Sequence, residues 1–354
     1  MADLFENPLG TRGFAFVEFT GKDPEALAQL FENMGFTAVA RHKSRDVVRY
    51  KQGKADFLLN REKTGQAGDF TALHQGGANA MGFLVDDAAR AYEGALERGA
   101  EAAGEGMWTD ALPAIRGIGG SLIYLMSEAD RDAFFAREFT PIAGADEAKQ
   151  GLGFTYIDHL THNVMRGQME KWGKFYEDVF GFRQIRYFDI EGKLTGLISK
   201  AMTSADGNIR IPLNESRDDK SQIEEFLHEF GGEGIQHIAI ASDDIYGSVD
   251  GLIARGLELQ DTPDSYFELI DERLPGHGEN VEDLRKRRIL IDGAPTEGQG
   301  LLLQIFSKTV IGPVFFEFIQ RKGNEGFGEG NFQALFDSIE LDQVRRGVLT
   351  DNAA

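Results

Sequence analysis

The sequence contains no cysteine, and this absence excludes several kinds of chemistry. Disulfides, thiolate nucleophiles, iron–sulfur clusters and cysteine-type zinc sites all depend on a sulfur atom that the chain does not have. A bound metal would therefore have to be held by histidine nitrogens and carboxylate oxygens.

Long hydrophobic runs and excess positive charge are also missing. No apolar run approaches the roughly 20 residues that a membrane-spanning helix needs, and the first eight residues lack the basic and apolar regions of a signal peptide. The chain has 37 basic and 58 acidic residues, so its net charge is −21. An acidic surface repels the phosphates of nucleic acids and anionic lipids. We expect a cytoplasmic protein that binds neither nucleic acid nor membranes.

The chain does contain enough apolar material for two folded domains. Its 354 residues exceed the usual size of one domain, and 42% of them are hydrophobic. A segment of small residues with several glycines, residues 141–153, separates two similar halves. We expect an N-terminal domain over residues 1–143 and a C-terminal domain over residues 144–354.

The two halves repeat one plan of strand, helix and turn. In the first half, a strand-like stretch at residues 13–19 is followed by Asp23 as a helix N-cap and by Pro24 at the first helical position. In the second half, residues 154–159 are strand-like and precede a second amphipathic helix, and each helix ends at a Gly-Phe pair. The repetition predicts a duplicated structure.

A closer internal match relates residues 79–87 to residues 236–244 at a constant offset of 157 residues. Both segments are typical of a strand that leads into a helix. In this register Ala80 occupies the place of His237, so the first half keeps the shape and lacks the titratable residue.

Three titratable residues interrupt strand-like segments of the second half: His159, His237 and Glu317. Burying such groups costs free energy unless their charge or hydrogen bonding is compensated, and a metal would compensate it. Two imidazoles and one carboxylate on one side of a metal leave coordination positions open, as in non-heme iron(II) oxygenases. His162 competes with His159, because strand alternation places the two on opposite faces without showing which one faces the site.

Six motifs in order along the second half resemble the 4-hydroxyphenylpyruvate dioxygenase family. They are Asp158-His-Leu-Thr-His-Asn-Val164, Pro212-Leu-Asn-Glu215, Gly234-Ile-Gln-His-Ile-Ala239, Leu302-Leu-Gln-Ile-Phe306, Phe315-Phe-Glu-Phe-Ile-Gln-Arg321 and Gly326-Phe-Gly-Glu-Gly-Asn-Phe332. The resemblance implies an α+β fold of the vicinal-oxygen-chelate, glyoxalase-like type. In that fold, each of two domains pairs βαβββ modules into an open, cup-shaped mixed sheet, and a C-terminal helix forms a lid.

The resemblance also implies an activity and a cofactor. Iron(II) would be held by His159, His237 and Glu317, which sets His162 aside. The enzyme would convert 4-hydroxyphenylpyruvate and O₂ to homogentisate and CO₂, by oxidative decarboxylation, ring hydroxylation and side-chain migration, within tyrosine and phenylalanine catabolism. The resemblance further implies a homodimer or homotetramer.

The same resemblance carries over a substrate pocket. Its polar contacts would be Ser199, Asn214, Gln222, Gln236 and Gln304, and its aromatic walls Phe306, Phe315, Phe327 and Phe332. Gln236 adjoins His237 and would point away from it in a regular strand, so its role requires either a local twist or a place behind the metal ligands.

Two further segments carry expectations. The glycines at 326, 328 and 330 precede a helix for which Asn331 is a candidate N-cap. One face of this helix carries Phe332, Leu335, Phe336 and Ile339, and the helix is either a hinged lid or part of the core. Residues 271–300 have no counterpart in the first half, and we interpret them as an insertion that forms either a solvated loop or short helix, or a subunit contact.

Three alternative functions remain open from the sequence. A 4-hydroxymandelate synthase would use the same ligands and substrate, although Pro212 favours the ring-oxygenating enzyme. A glyoxalase-type isomerase or lyase would complete its metal site with a further carboxylate, and none is apparent on the matching strands. A non-catalytic binding protein of this fold would not need the three ligands.

Overall fold

Two mixed sheets of eight strands each organise the molecule, one from each half of the sequence. The computed structural model describes residues 3–104, 108, 111–146, 151–191, 196–331, 333–335 and 345. Along these residues, no helix has the length and apolar character needed to cross a membrane.

The first sheet has the strand order β6-β7-β5-β1-β4-β3-β2-β8. Its strands are β1 (Thr11–Gly21), β2 (Thr37–His42), β3 (Val47–Gln52), β4 (Ala55–Asn60), β5 (Gly76–Val85), β6 (Ala114–Arg116), β7 (Leu122–Met126) and β8 (Phe139–Pro141). Its helices are α1 (Pro24–Asn33), α2 (Gly65–His74), α3 (Ala88–Glu97) and α4 (Glu128–Glu138).

The second sheet has the order β10-β11-β12-β9-β13-β16-β15-β14. Its strands are β9 (Phe154–Val164), β10 (Arg183–Glu191), β11 (Gly196–Thr203), β12 (Arg210–Ser216), β13 (Gly234–Ser242), β14 (Leu290–Gly293), β15 (Leu301–Phe306) and β16 (Phe315–Lys322). Its helices are α5 (Met169–Phe180), α6 (Gln222–Phe230), α7 (Ile245–Ala254), α8 (Asp264–Glu268), α9 (Ile270–Arg273) and α10 (Val281–Arg287).

The predicted pairing of βαβββ modules is confirmed in the strand connections. In the second sheet, β9 to β12 with α5 form one module and β13 to β16 with α7 form the other, and the modules meet where β9 pairs antiparallel with β13. The first sheet repeats this arrangement through β1 and β5. Its second module begins with β5. In the position of the first strand after α3, the described residues form a single bridge, between Ala102 and Ile115.

Helix capping follows the sequence signals at three of these helices. The Asp23 side chain accepts a hydrogen bond from the Ala26 amide at the start of α1, next to Pro24. The matched pair Asp87 and Asp244 caps α3 and α7 in the same way. An aspartate at this position pairs an amide that the helix itself leaves without an acceptor. The internal repeat is therefore a repeat of structure.

The expected insertion at residues 271–300 is only partly correct. Helices α9 and α10 lie there, but residues 290–293 form β14, which pairs with β15 at the edge of the sheet. Ile289, Leu290 and Ile291 are buried. This apolar run follows a basic stretch and is too short to show strand alternation. The sequence pattern therefore did not predict β14, which is the first strand after helix α7 in its module.

The two sheets share an aromatic contact. Phe316 of β16 lies 5.9 Å, between ring centroids, from both Phe19 of β1 and Phe57 of β4. All three rings are fully buried. Because side chains alternate along a strand, Phe316 faces this contact while its neighbour Glu317 faces the other side of β16.

Candidate metal centre

Three neighbouring strands bring His159, His237 and Glu317 to one point. Strand β13 lies between β9 and β16, and its Ala239 is level with His159 on one side and with Glu317 on the other. His237 is two residues before Ala239 and therefore lies on the same face. Residues that are far apart in sequence thus become adjacent through sheet pairing alone.

The potential ligand atoms of the three residues are close together. Oε2 of Glu317 lies 3.0 Å from Nε2 of His159 and 3.3 Å from Nε2 of His237. One ligand atom from each residue falls within 4.8 Å of the other two, which is close enough for one ion to contact all three. All three residues have low solvent exposure, at 9% or less, so bulk water screens their charges only weakly.

The outer nitrogen of each imidazole has a hydrogen-bond acceptor. Nδ1 of His159 donates to the Asp158 carboxylate at 2.8 Å, and Nδ1 of His237 donates to the Gln236 amide oxygen at 3.0 Å. With the proton on Nδ1, each neutral ring presents the lone pair of Nε2 to the centre. Metal-binding histidines in proteins are oriented by this kind of partner.

The electrostatics of the cluster suit a cation. Burial opposes ionisation of Glu317, but attraction and hydrogen bonding to His159 and His237 outweigh it and lower the pKa of Glu317 to about 2. Burial would lower the pKa of His159, but Glu317 and Asp158 raise it above its ordinary value. Desolvation lowers the pKa of His237. An ionised carboxylate beside two imidazoles is a donor set that fits a divalent metal.

A cavity of about 380 Å³ opens above the three residues. Every predicted pocket residue that the structure describes lines it: Ser199, Asn214, Gln222, Gln236, Gln304, Phe306, Phe315 and Phe327. Phe332 lies outside the described residues. The cavity has the size and the mixture of rings and amides that are typical of a site for a small aromatic molecule.

Aromatic rings border the cavity beside the histidines. The Phe315 ring stacks on His237 with centroids 4.9 Å apart, and the Phe327 ring meets His159 edge to face at 5.3 Å. Phe306 packs edge to face on Phe315 at 6.0 Å. These rings place flat apolar surfaces next to the proposed metal position.

Comparison with known proteins gives consistent results for both halves. The family model "Hydroxyphenylpyruvate dioxygenase, HPPD, N-terminal" matches residues 5–140, and that of the "Glyoxalase/Bleomycin resistance protein/Dioxygenase superfamily" matches residues 156–269. A 4-hydroxyphenylpyruvate dioxygenase of Pseudomonas aeruginosa is 53% identical over 97% of both chains. The chain belongs to the 4-hydroxyphenylpyruvate dioxygenase family.

Two other relatives show the range of names borne by similar chains. Hemolysin VllY of Vibrio vulnificus is 53% identical over 98% of both chains. A mutant of 4-hydroxymandelate synthase from Streptomyces coelicolor superposes with a TM-score of 0.79 at 25% identity, covering 94% of this chain and 99% of the other. The fold expected of the dioxygenase family is therefore confirmed.

Gln304 connects the carboxylate of this dioxygenase-family site to the C-terminal segment. Its side-chain NH₂ donates to Oε1 of Glu317 at 3.1 Å, and its oxygen accepts a hydrogen bond from the Asn331 amide at 3.1 Å. The Tyr266 hydroxyl in turn donates to the Asn331 oxygen at 2.6 Å. The chain of contacts runs from Glu317 to helix α8.

The expectation that Asn331 caps the C-terminal helix is wrong. Helical residues begin at Glu329, so Asn331 lies inside the first turn, and its side chain bonds to Gln304 and Tyr266. Asn is a common N-cap residue and glycines often precede a helix, so nothing in the sequence indicated that the helix had already begun at Glu329. The other residues predicted on this helix include Leu335, which lines the cavity, and Phe336 and Ile339, which lie outside the described residues.

Gln236 lies at an irregularity of β13. The pairing with β9 shifts between Ile235 and His237, so Gln236 has no partner of its own in the register. This bulge lets Gln236 line the cavity and hydrogen-bond His237, although the two residues are adjacent. Both of the options that the sequence left for Gln236 are therefore realised.

His162 lies away from the metal centre. It is fully buried and its Nε2 contacts the Tyr176 hydroxyl at 2.7 Å. Burial lowers the pKa of His162 to about 3, so the ring is neutral. It is a histidine of the core beneath α5, on the opposite side of β9 from His159.

Sequence reasoning missed part of the cavity lining. Thr161, Leu197, Ile223 and Leu290 also line it. Most of these are ordinary apolar strand and helix residues, whose patterns do not differ from those of the core. Thr161 carried a usable signal, since it is two residues after His159 on the same strand and so shares its face.

Replacing Tyr266 by Phe is expected to destabilise the protein by about 1–3 kcal/mol, because it removes the buried hydroxyl that donates to the Asn331 oxygen and accepts from the Ile291 amide. Chemical denaturation measures this, and limited proteolysis after residue 329 should become faster. Tyr246→Phe is the matched control, since that hydroxyl meets the Glu279 side chain in a part-buried position. Equal stability of the two variants would contradict the role given to Tyr266.

Proposed function

We propose that this protein is an iron(II)-dependent 4-hydroxyphenylpyruvate dioxygenase that converts 4-hydroxyphenylpyruvate and O₂ into homogentisate and CO₂. The observation that carries the proposal is the convergence of His159, His237 and Glu317 beneath an aromatic cavity in a chain of this family. The proposed cofactor is Fe(II), held by those three residues.

The donor set supports an oxygen-activating metal better than a structural one. A structural zinc site is closed by four protein ligands, whereas this cluster provides three, among the residues that the structure describes. Iron(II), when bound, supplies adjacent open positions for the 2-oxo-acid group of the substrate and for O₂.

The chain's own residues would position the metal and the substrate. Asp158 and Gln236 hold the protons on the Nδ1 atoms and so keep both Nε2 lone pairs directed at the centre. Gln304 donates to Glu317 and fixes the rotation of that carboxylate. These contacts direct the three ligand groups towards one centre, an arrangement that would limit the reorganisation needed on binding.

The substrate ring would bind between the aromatic walls. Phe306, Phe315 and Phe327 offer apolar faces for packing, at positions that border the histidines. Ser199 and Asn214 are paired across β11 and β12, and Gln222 begins α6. Their uncharged groups would hydrogen-bond the polar ends of the substrate without adding charge to the site.

The C-terminal segment would exclude water during the reaction. Phe327, Glu329 and Leu335 line the cavity from this segment. A segment that covers the cavity after the substrate enters protects reactive oxygen chemistry from bulk water. The lid motion stays a prediction.

Anaerobic reconstitution with Fe(II), followed by addition of 4-hydroxyphenylpyruvate and O₂, tests the proposal. We expect equal amounts of O₂ consumed, CO₂ released and homogentisate formed, and no turnover without iron. An oxygen electrode, a CO₂ assay and chromatography of the aromatic product measure the three quantities. Turnover that persists without O₂ would instead indicate a glyoxalase-type isomerase or lyase.

A second candidate, 4-hydroxymandelate synthase, has a structural neighbour in its favour. It would consume the same substrate and O₂ and release CO₂, so only the aromatic product separates the two. Pro212 lines the cavity, which agrees with the ring-oxygenating choice. Formation of 4-hydroxymandelate in place of homogentisate would overturn that choice.

Three further expectations stay predictions. They are a homodimeric or homotetrameric assembly, a cytoplasmic location, and a place in tyrosine and phenylalanine catabolism. The assembly can be checked by light scattering of the iron-loaded protein.

A further inference from the structure

A buried ionic cluster lies behind His159, on the side away from the cavity. The Asp158 carboxylate is fully buried and accepts two hydrogen bonds from the Arg321 guanidinium, both at 2.8 Å. Arg210 donates a third at 3.1 Å. The same carboxylate accepts the Nδ1 proton of His159 at 2.8 Å. The Asp158 carboxylate therefore accepts hydrogen bonds from a proposed metal ligand and from two arginines.

The Arg321 side chain also holds the segment that leads to the cavity wall. Its remaining nitrogen, Nη1, donates to the backbone carbonyls of Asn324 at 3.0 Å and Gly326 at 2.6 Å. Its guanidinium lies 5.8 Å from the centroid of the Phe327 ring, whose edge-to-face partner is His159. Arg321 therefore holds the loop by two backbone carbonyls that come shortly before Phe327, which borders the cavity.

Arg321 is the residue type that this arrangement requires. The planar guanidinium binds Asp158 with two donors and the carbonyls with a third, whereas a lysine ammonium could not reach all of these acceptors in one plane. The Arg321 side chain is only 8% exposed. A buried ion pair is weak evidence of stabilisation, because an apolar pair of similar size is often at least as stable.

We propose that Arg321 is a positioning residue that couples metal binding at His159 to the placement of the loop at residues 324–327. A cation on Nε2 of His159 makes Nδ1–H a stronger donor and draws Asp158 towards the ring. Asp158 is joined rigidly to Arg321, so the loop that carries Phe327 is fixed most firmly when the metal is present. This inference rests on the proposed metal centre.

Hydrogen exchange with Co(II) as the probe metal tests this coupling. In the wild-type protein, Co(II) is expected to slow amide exchange over residues 322–331. In Arg321→Gln, the affinity for Co(II) is expected to fall by about 10–100-fold, as is typical when a partner of a metal ligand is lost. Saturating Co(II) should then leave exchange over residues 322–331 unchanged.

Two further variants sharpen the test. Arg321→Lys keeps the charge that Asp158 requires and so preserves the fold, but it is expected to lose most of the loop protection. Glu325→Gln removes a partner of Arg210 on the same loop and leaves the hydrogen bonds between Arg321 and Asp158 in place. It should retain both the Co(II) affinity and the loop protection of the wild type.

The outcomes separate this inference from the proposed function. Loop protection by Co(II) that is equally strong in wild type, Arg321→Gln and Arg321→Lys would overturn the coupling and leave the metal centre intact. Loss of stability in Arg321→Gln with unchanged Co(II) affinity and loop protection would assign Arg321 a packing role only, and would also overturn it. Failure of the wild-type protein to bind Co(II) would overturn both proposals.

Discussion

Glu317→Gln is expected to abolish dioxygenase turnover and to lower Fe(II) affinity by more than the roughly 10–100-fold that follows loss of a partner of a metal ligand. The substitution keeps the shape of the side chain but removes the only carboxylate of the three-residue cluster. Two neutral imidazoles then remain, and neither compensates the charge of a divalent cation. Metal content after dialysis and oxygen uptake with 4-hydroxyphenylpyruvate measure the two effects.

Glu325→Gln is the matched control for charge. Its carboxylate is exposed and contacts Arg210, so iron content and turnover should stay at the wild-type level. Wild-type iron content in Glu317→Gln would show that the carboxylate is not a ligand. Equal losses in both variants would show that net charge, and not coordination, controls metal binding.

Phe316→Ala is expected to lower the free energy of unfolding by about 3–5 kcal/mol, the usual cost of truncating a buried phenylalanine. The ring is fully buried and contacts Phe19 and Phe57 of the other sheet, so its loss opens a cavity between the two halves. Because Glu317 is the next residue on β16, relaxation of the strand should also weaken metal binding. Denaturant titration of the metal-free protein measures the stability.

Leu73→Ala is the control for this substitution. Leu73 is 61% exposed, and changes at such surface positions usually alter stability by no more than about 0.5 kcal/mol. A Phe316→Ala variant as stable as Leu73→Ala would show that the two sheets do not depend on the aromatic contact.

The fold could be predicted from the sequence where local signals repeat. The sequence predicts the cap at Asp23, and Asp87 and Asp244, at matched positions of the repeat, cap their helices in the same way, because the requirement for an acceptor at the first turn is local. The paired modules followed from the internal match. Strand β14 was not accessible, since a short apolar run after basic residues gives no periodicity by which to assign it.

The candidate site could be predicted mainly from the resemblance to the dioxygenase family. Strand alternation alone left His159 and His162 as equal candidates, and the structure separates them by pairing His162 with Tyr176 on the far side of β9. The position of Gln236 depends on a bulge, which arises from the pairing of two strands and has no signature within one of them. Contacts such as Arg321 with Asp158 depend on the whole sheet and could not be predicted from either segment.

Anomalous X-ray diffraction from crystals grown with Fe(II) under anaerobic conditions locates the iron directly. We expect one strong iron peak in the second sheet, at a bonding distance of about 2 Å from Nε2 of His159, Nε2 of His237 and a carboxylate oxygen of Glu317. An iron peak bound elsewhere, or an empty cluster in a protein that turns over with iron, would contradict the proposed metal centre.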